Sequence, residues 1–115
     1  MIRRLHPGTR MSQAVIHGNT VYLAGQVADD TTQGVAGQTQ QVLVAIDRLL
    51  AEAGSDKTRI LSATVYLADI ATFAEMNSVW DQWVSKDHPP ARATVEAKLA
   101  APPYRVEIQV VAARD

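Results

Sequence analysis

SQAVIHGNTVYLAGQV, residues 12–27, sets two β-rich runs on either side of Gly18-Asn19. Both turn residues tolerate positive φ, so the pair reads as a tight two-residue hairpin turn. The second run ends at Gly25. An opening hairpin commits the chain to a sheet, and the remaining segments must supply its other strands and its cover.

Outward from the hairpin, DDTTQGVAG (29–37) reads as a polar loop. A helix is expected from about Ala36 to Ala53, because Val42, Ala45, Ile46, Leu49 and Ala53 recur at helical spacing, and Gly54 is placed to stop it. RILSATVYLAD (59–69) reads as a strand. Asp69 is placed to cap a second helix, Ile70 to Ser85, whose stripe is Ile70, Phe73, Met76, Asn77, Trp80, Trp83 and Val84. His88-Pro89-Pro90 ends it, since proline cannot continue the ladder. Two last strands follow, about 91–99 and 104–113, joined across Ala100–Pro103.

The order is β-β-α-β-α-β-β. The simplest packing is a mixed sheet with both helices on one face, an α+β fold. In RVEIQVV (105–111), Val106, Ile108 and Val110 would face the helices, and Arg105, Glu107, Gln109 and Val111 the other side. That second face, part apolar and part ionisable, needs water or another subunit against it.

Length and composition bound the function. With 115 residues, 47% hydrophobic, one domain spanning 1–115 is expected. The net charge of −1 argues against an extended nucleic-acid surface. Arg3, Arg4 and Arg10 make the N-terminus locally basic, but three dispersed arginines read as solvated. There is no cysteine, which excludes disulfides, cysteine-ligated metals and a thiol nucleophile. No signal peptide is visible, and no apolar run approaches the length needed to span a bilayer. A soluble cytoplasmic protein is the expectation.

Catalytic signatures are sparse. The chain has no Gly-rich phosphate loop, no HExxH and no GxSxG elbow. His6, His17 and His88 are scattered, so none reads as a metal ligand or general base. Trp80, Trp83 and Met76 read as core, because they keep to one helical stripe. What remains is Arg92, Thr94, Glu96 and Glu107 on the two final strands. In PARATVEA (90–97), Arg92, Thr94 and Glu96 share one side of the strand. An arginine binds a carboxylate through two parallel hydrogen bonds, a strand amide beside it would bind the same anion, and a glutamate nearby would hold and polarise a water. A tight connection between the last strands would put Glu96 opposite Glu107. A cross-strand salt bridge on a solvated face is the simpler use of these residues, and pattern alone favours it.

The hairpin 12–27, the long middle helix, PPARATVEA (89–97) and RVEIQVVAA (105–113) together resemble the YjgF/RidA family, also called the L-PSP endoribonuclease family, over nearly the whole chain. The resemblance implies a chorismate-mutase-like fold, a homotrimer whose three sheets cover one another, and clefts between subunits. It implies hydrolysis of reactive 2-imino or enamine acids to 2-keto acids and ammonia, without metal or organic cofactor. Carried over by position, Arg92 is the carboxylate anchor and Thr94 lends its backbone N–H to the same carboxylate. Glu107 stands near the imine nitrogen and water, and Gly25 stands at the cleft wall. Two positions depart: Met11 replaces a tyrosine common in deaminase members, and Ala24 replaces a hydroxyl residue. Both make the cleft more apolar, which would change the substrate or weaken the deaminase activity, and the flexible Met11 would line a pocket for a bulkier apolar side chain. A non-catalytic carboxylate-binding trimer would use the same arginine. A ribonuclease or translation inhibitor, a label some members carry, finds little support in a chain with 5% aromatic residues and no basic surplus.

Overall fold

The computed structural model describes all 115 residues. Six strands, β1 (Ile2–Leu5), β2 (Ala14–His17), β3 (Thr20–Leu23), β4 (Ile60–Leu67), β5 (Ala91–Glu96) and β6 (Val106–Ala113), form one mixed sheet with two helices, α1 (Val35–Glu52) and α2 (Phe73–Trp83). The sheet order is β1-β2-β3-β6-β4-β5, and only β4 and β5 are parallel. The expected α+β architecture holds, with one strand more than the sequence pattern revealed.

That strand is β1. IRRL carries two arginines and no β-rich run, and it forms because the free edge of β2 has unpaired backbone groups to satisfy. Ile2 pairs with His17 and Leu5 with Ala14. Only Leu5 reaches the core.

The β2–β3 turn is the two-residue hairpin expected, with His17 opposite Thr20. Gly18 has φ +60°, and Asn19 keeps a negative φ. One positive φ at the first central position is the type II′ arrangement. Helix α1 ends as its sequence indicates. Gly54 adopts φ +81°, its N–H donates to the Ala51 carbonyl, and the Ser55 N–H donates to the Leu50 carbonyl. This is a Schellman closure.

Helix α2 starts later than expected. Residues Ile70–Thr72 form a 3-10 turn, with the Asp69 carboxylate accepting the Ala71 N–H at 2.9 Å. At the other end Val84 is already extended. Its stripe also divides. Met76 and Trp80 are buried, whereas Ile70 and Phe73 stay more than 40% exposed.

The pairing of the final strands overturns an expectation. β5 and β6 are not neighbours, because β4 lies between them. The β4–α2–β5 crossover docks β5 parallel on one side of β4, and the chain then passes the end of β4 to run back as β6 on its other side. Ala97 N–H donates to the Leu67 carbonyl on one flank, and Ala68 N–H donates to the Arg105 carbonyl on the other. Glu96 is therefore not opposite Glu107. Leu67 stands between Glu96 and Val106, and the Glu96 carboxylate accepts the Ile70 N–H at 3.0 Å. β5 accordingly stops at Glu96, short of the expected 99.

Gln38 of α1 holds this crossover. It is fully buried. Its amide nitrogen donates to the carbonyls of Gln33 and Pro103, and its amide oxygen accepts the Arg105 N–H. A buried polar side chain is tolerated when its groups are paired, as these are.

The helices cover one face of the sheet. Ile16, Val21, Leu23, Val65, Leu67, Val106, Ile108 and Val110 meet Val42, Ile46 and Leu50 of α1 and Met76 and Trp80 of α2 in a single core. The opposite face carries Val15, Tyr22, Thr64, Tyr66, Val95, Glu107 and Val111. Nothing in the chain covers it, and Tyr22 and Val95 remain more than 40% exposed.

Replacing Gly54 with alanine puts a Cβ on a left-handed residue and is expected to cost about 1–2 kcal/mol. Thermal unfolding should show a melting temperature lower by several degrees, with the folded-state circular dichroism unchanged.

Candidate functional site

Arg92 lies on β5, in register with Ala63, and Thr94 with Val65. Ala63 and Val65 are buried in the core, so Arg92 and Thr94 project to the helix side. There the Arg92 side chain meets α2. Its Nη1 donates to Asn77 Oδ1 at 2.8 Å. Its Cζ stands 5.0 Å from the Trp80 ring centre and 5.8 Å from that of Phe73. Phe73, Asn77 and Trp80 follow at i, i+4 and i+7, which puts them on one helix face. A hydrogen bond from a charged group contributes about 1.5–3 kcal/mol, and each aromatic contact about 0.5–2 kcal/mol.

No carboxylate neutralises this arginine, which takes part in neither of the chain's two ion pairs. Burial pulls the guanidinium below its ordinary range, and the charge of Asp81 opposes that shift. An arginine so placed stays protonated at any physiological pH. The arrangement is a held cation with unused N–H donors.

The backbone beside it is open. β5 is the edge of the sheet. Ala97 N–H points inward to Leu67, so by strand alternation Ala93 and Val95 also turn their N–H groups inward, and Arg92, Thr94 and Glu96 turn theirs outward. The Thr94 amide is thus an unpaired donor along the strand from the guanidinium. The Thr94 Oγ1 is buried and has no hydrogen-bond partner.

Gly25 and Glu107 form a second group. Tyr22 pairs with Val111, and Gln26 bridges to Ile108, so four steps on one strand match three on the other. The extra residue is a β-bulge, a device that re-aims the chain at the end of a strand. It brings Gly25 under the Glu107 side chain, where a Cβ on Gly25 would fall 2.0 Å from Glu107 Oε2 and 2.8 Å from its carboxyl carbon. Gly25 has no positive φ, so glycine is needed there for space alone. Ala24 donates its N–H to the Gln13 carbonyl and accepts the Gln26 side-chain amide. Met11 is half exposed, with its carbonyl accepting the Gly8 N–H. Neither side chain offers a hydrogen bond.

The two groups do not meet within one chain. Glu107 is paired with Tyr66 and projects from the uncovered face, whereas Arg92 projects toward the helices. With β4 between their strands, they are also separated by two strand spacings, roughly 10 Å. A groove of about 620 Å³ opens beside α1 between His6, Gln41, Arg48 and Glu52, and none of Met11, Ala24, Gly25, Arg92, Thr94 and Glu107 lines it. Sequence reasoning missed the seat of Arg92. Its signal was Asn77, an amide inside an otherwise apolar stripe.

Residues 1–114 match the family described as Endoribonuclease L-PSP. A RutC family protein of Haemophilus influenzae is 49% identical over 112 residues, covering 96% of this chain and 97% of its own. A 2-iminobutanoate/2-iminopropanoate deaminase of Bos taurus is 37% identical over 107 residues, covering 88% of this chain and 77% of its own. The crystal structure of a YjgF family member from Neisseria meningitidis superimposes with a TM-score of 0.97 at 46% identity, covering all of this chain and 96% of its own. Sequence and architecture agree along the whole chain, which belongs to the endoribonuclease L-PSP family, the YjgF/RidA proteins.

Proposed function

We propose that the protein hydrolyses reactive 2-imino or enamine acids to 2-keto acids and ammonia, in clefts formed between the subunits of a homotrimer. The observation that carries this reading is Arg92: a seated guanidinium without a counter-ion, on an open strand edge beside the free amide of Thr94. Its natural complement is a small carboxylate. The bovine relative, named a deaminase of two such imino acids, supports the substrate class.

The site needs two copies of the chain. One copy supplies Arg92 and the Thr94 N–H from its sheet edge, and the next supplies Gly25 and Glu107. The uncovered sheet face, with Tyr22, Tyr66, Val95 and Val111, is the surface a second copy would bury. A head-to-tail contact of this kind closes into a ring when its rotation allows. The product site therefore faces one subunit's arginine with its neighbour's glutamate.

The chemistry asks for orientation and a proton route. Arg92 and the Thr94 amide hold the carboxylate and fix the imine carbon. Glu107 accepts a proton from water as its oxygen adds to that carbon, and delivers the proton to nitrogen. The new hydroxyl then gives up its proton, which Glu107 passes to the amine nitrogen as the C–N bond breaks and the carbonyl forms, so imino acid and water give keto acid and ammonia, with no change of oxidation state. Gly25 leaves room for the Glu107 carboxylate. Met11 and Ala24 line the cleft without polar groups and favour substrates with larger apolar side chains.

A coupled assay that generates the imine in situ checks the assignment. Arg92→Ala should lower kcat/KM by about a hundredfold or more while the trimer persists in sedimentation, and Arg92→Lys should be impaired because lysine lacks the planar fork. Full activity in Arg92→Ala would end the assignment, and tight keto-acid binding without turnover would make the protein a sensor. Gly25→Ala displaces the Glu107 side chain rather than backbone, so kcat should fall, on the order of a hundredfold, with little change in melting temperature. Co-assembling Arg92→Ala chains with Glu107→Gln chains should restore activity in about a quarter of the clefts, because hybrid interfaces join one intact arginine to one intact glutamate. Absence of any recovery in verified mixed trimers would place both residues in one subunit's site.

A further inference from the structure

Asn77 is the only side chain that accepts a hydrogen bond from Arg92, at 2.8 Å. The acceptor is neutral, and that choice matters. A carboxylate at this position would hold the guanidinium as well or better, but would occupy its fork and cancel its charge. An amide oxygen takes one N–H and leaves the charge uncompensated.

The rest of the seat works in the same direction. The Trp80 ring, 5.0 Å from Cζ, and the Phe73 ring, 5.8 Å away, restrain the guanidinium through its π-system and consume no N–H donor. Trp80 is 5% exposed and belongs to the core, as does Met76 one residue before Asn77. The seat is therefore built on a helix anchored on both sides of the amide, which restricts where Asn77 can point. Asp81, the one acid whose charge Arg92 feels, forms no ion pair with it. Arg92 leaves an edge strand with a long, flexible stem, and without Asn77 only the two rings would restrain the guanidinium, with no hydrogen bond to fix its terminal nitrogens.

We propose that Asn77 is a positioning residue for carboxylate recognition: it locks one terminal nitrogen of Arg92 so that the remaining N–H edge is preset for the ligand. This inference rests on the carboxylate reading of Arg92. It gives the polar residue in the α2 stripe a function that core packing does not explain.

The test is a pair of substitutions of opposite character. Asn77→Ala removes the acceptor. Asn77→Asp keeps the shape and the acceptor but adds the charge. A structural role predicts lower stability for Asn77→Ala and unchanged ligand binding for Asn77→Asp. The positioning role predicts that Asn77→Asp unfolds at the wild-type temperature or above yet binds 2-oxobutanoate about a hundredfold more weakly by calorimetry. It predicts for Asn77→Ala a KM raised about tenfold with kcat nearly retained. A second measurement needs no ligand: nitrogen-15 NMR of the Arg92 terminal groups should show slower rotation in the wild type than in Asn77→Ala. Wild-type binding of 2-oxobutanoate by Asn77→Asp, or equally hindered rotation in Asn77→Ala, overturns the inference. If the wild-type protein itself fails to bind 2-oxobutanoate, the deaminase reading fails, and the rotation of Arg92 still decides whether Asn77 holds it.

Discussion

β4 lies between the two strands that follow it in the chain, and the rest of the molecule is arranged around that placement. Pairing β5 parallel to β4 leaves β5 at the sheet edge, with the Arg92 and Thr94 amides facing outward. Pairing β6 on the other flank puts Glu107 in the middle of the sheet, on the uncovered face. Such an order needs a connection past the end of β4, and Gln38 secures it by bonding Pro103 and Arg105 from within α1. A buried amide left without these partners would cost about 1–3 kcal/mol per group. The crossover thus depends on one helix residue that is neither apolar nor near the candidate site.

The two candidate groups are held by opposite means. Arg92 is restrained by an amide and two aromatic rings, which fix it without neutralising it. Glu107 is accommodated by an absence: the missing side chain of Gly25, at a bulge that draws the β3 extension against β6. Both sit at the limits of the single chain, one at a free edge and one on an open face.

Local chemistry made much of the fold legible. Gly18 and Gly54 announced a hairpin turn and a helix end because few other residues take positive φ there. Alternation in residues 105–111 sorted Val106, Ile108 and Val110 from Glu107, and burial bears that out. β1 was hidden, since IRRL has neither alternation nor a β-rich composition and folds only against an edge made by others. The spacing of α2 presents a single stripe, whereas Met76 packs in the core, Phe73 and Asn77 contact Arg92, and Trp80 does both. Periodicity reports which residues share a helix face and says nothing of what that face meets.

For the candidate site the division is sharper. The sequence by itself determined the residue types: an arginine on a strand, a glutamate alternating with core valines, a glycine ending a β-run, and no cysteine. Those follow from local spacing and side-chain chemistry. Only the tertiary structure decided that Glu96 caps a helical turn instead of facing Glu107, that Asn77 seats Arg92, and that Arg92 and Glu107 look out from opposite faces of one sheet. The physical reason is strand order. Neighbours in a sheet are chosen by long-range pairing and by where the crossover helices pack, and no local pattern in PARATVEA or RVEIQVV encodes that β4 will stand between them.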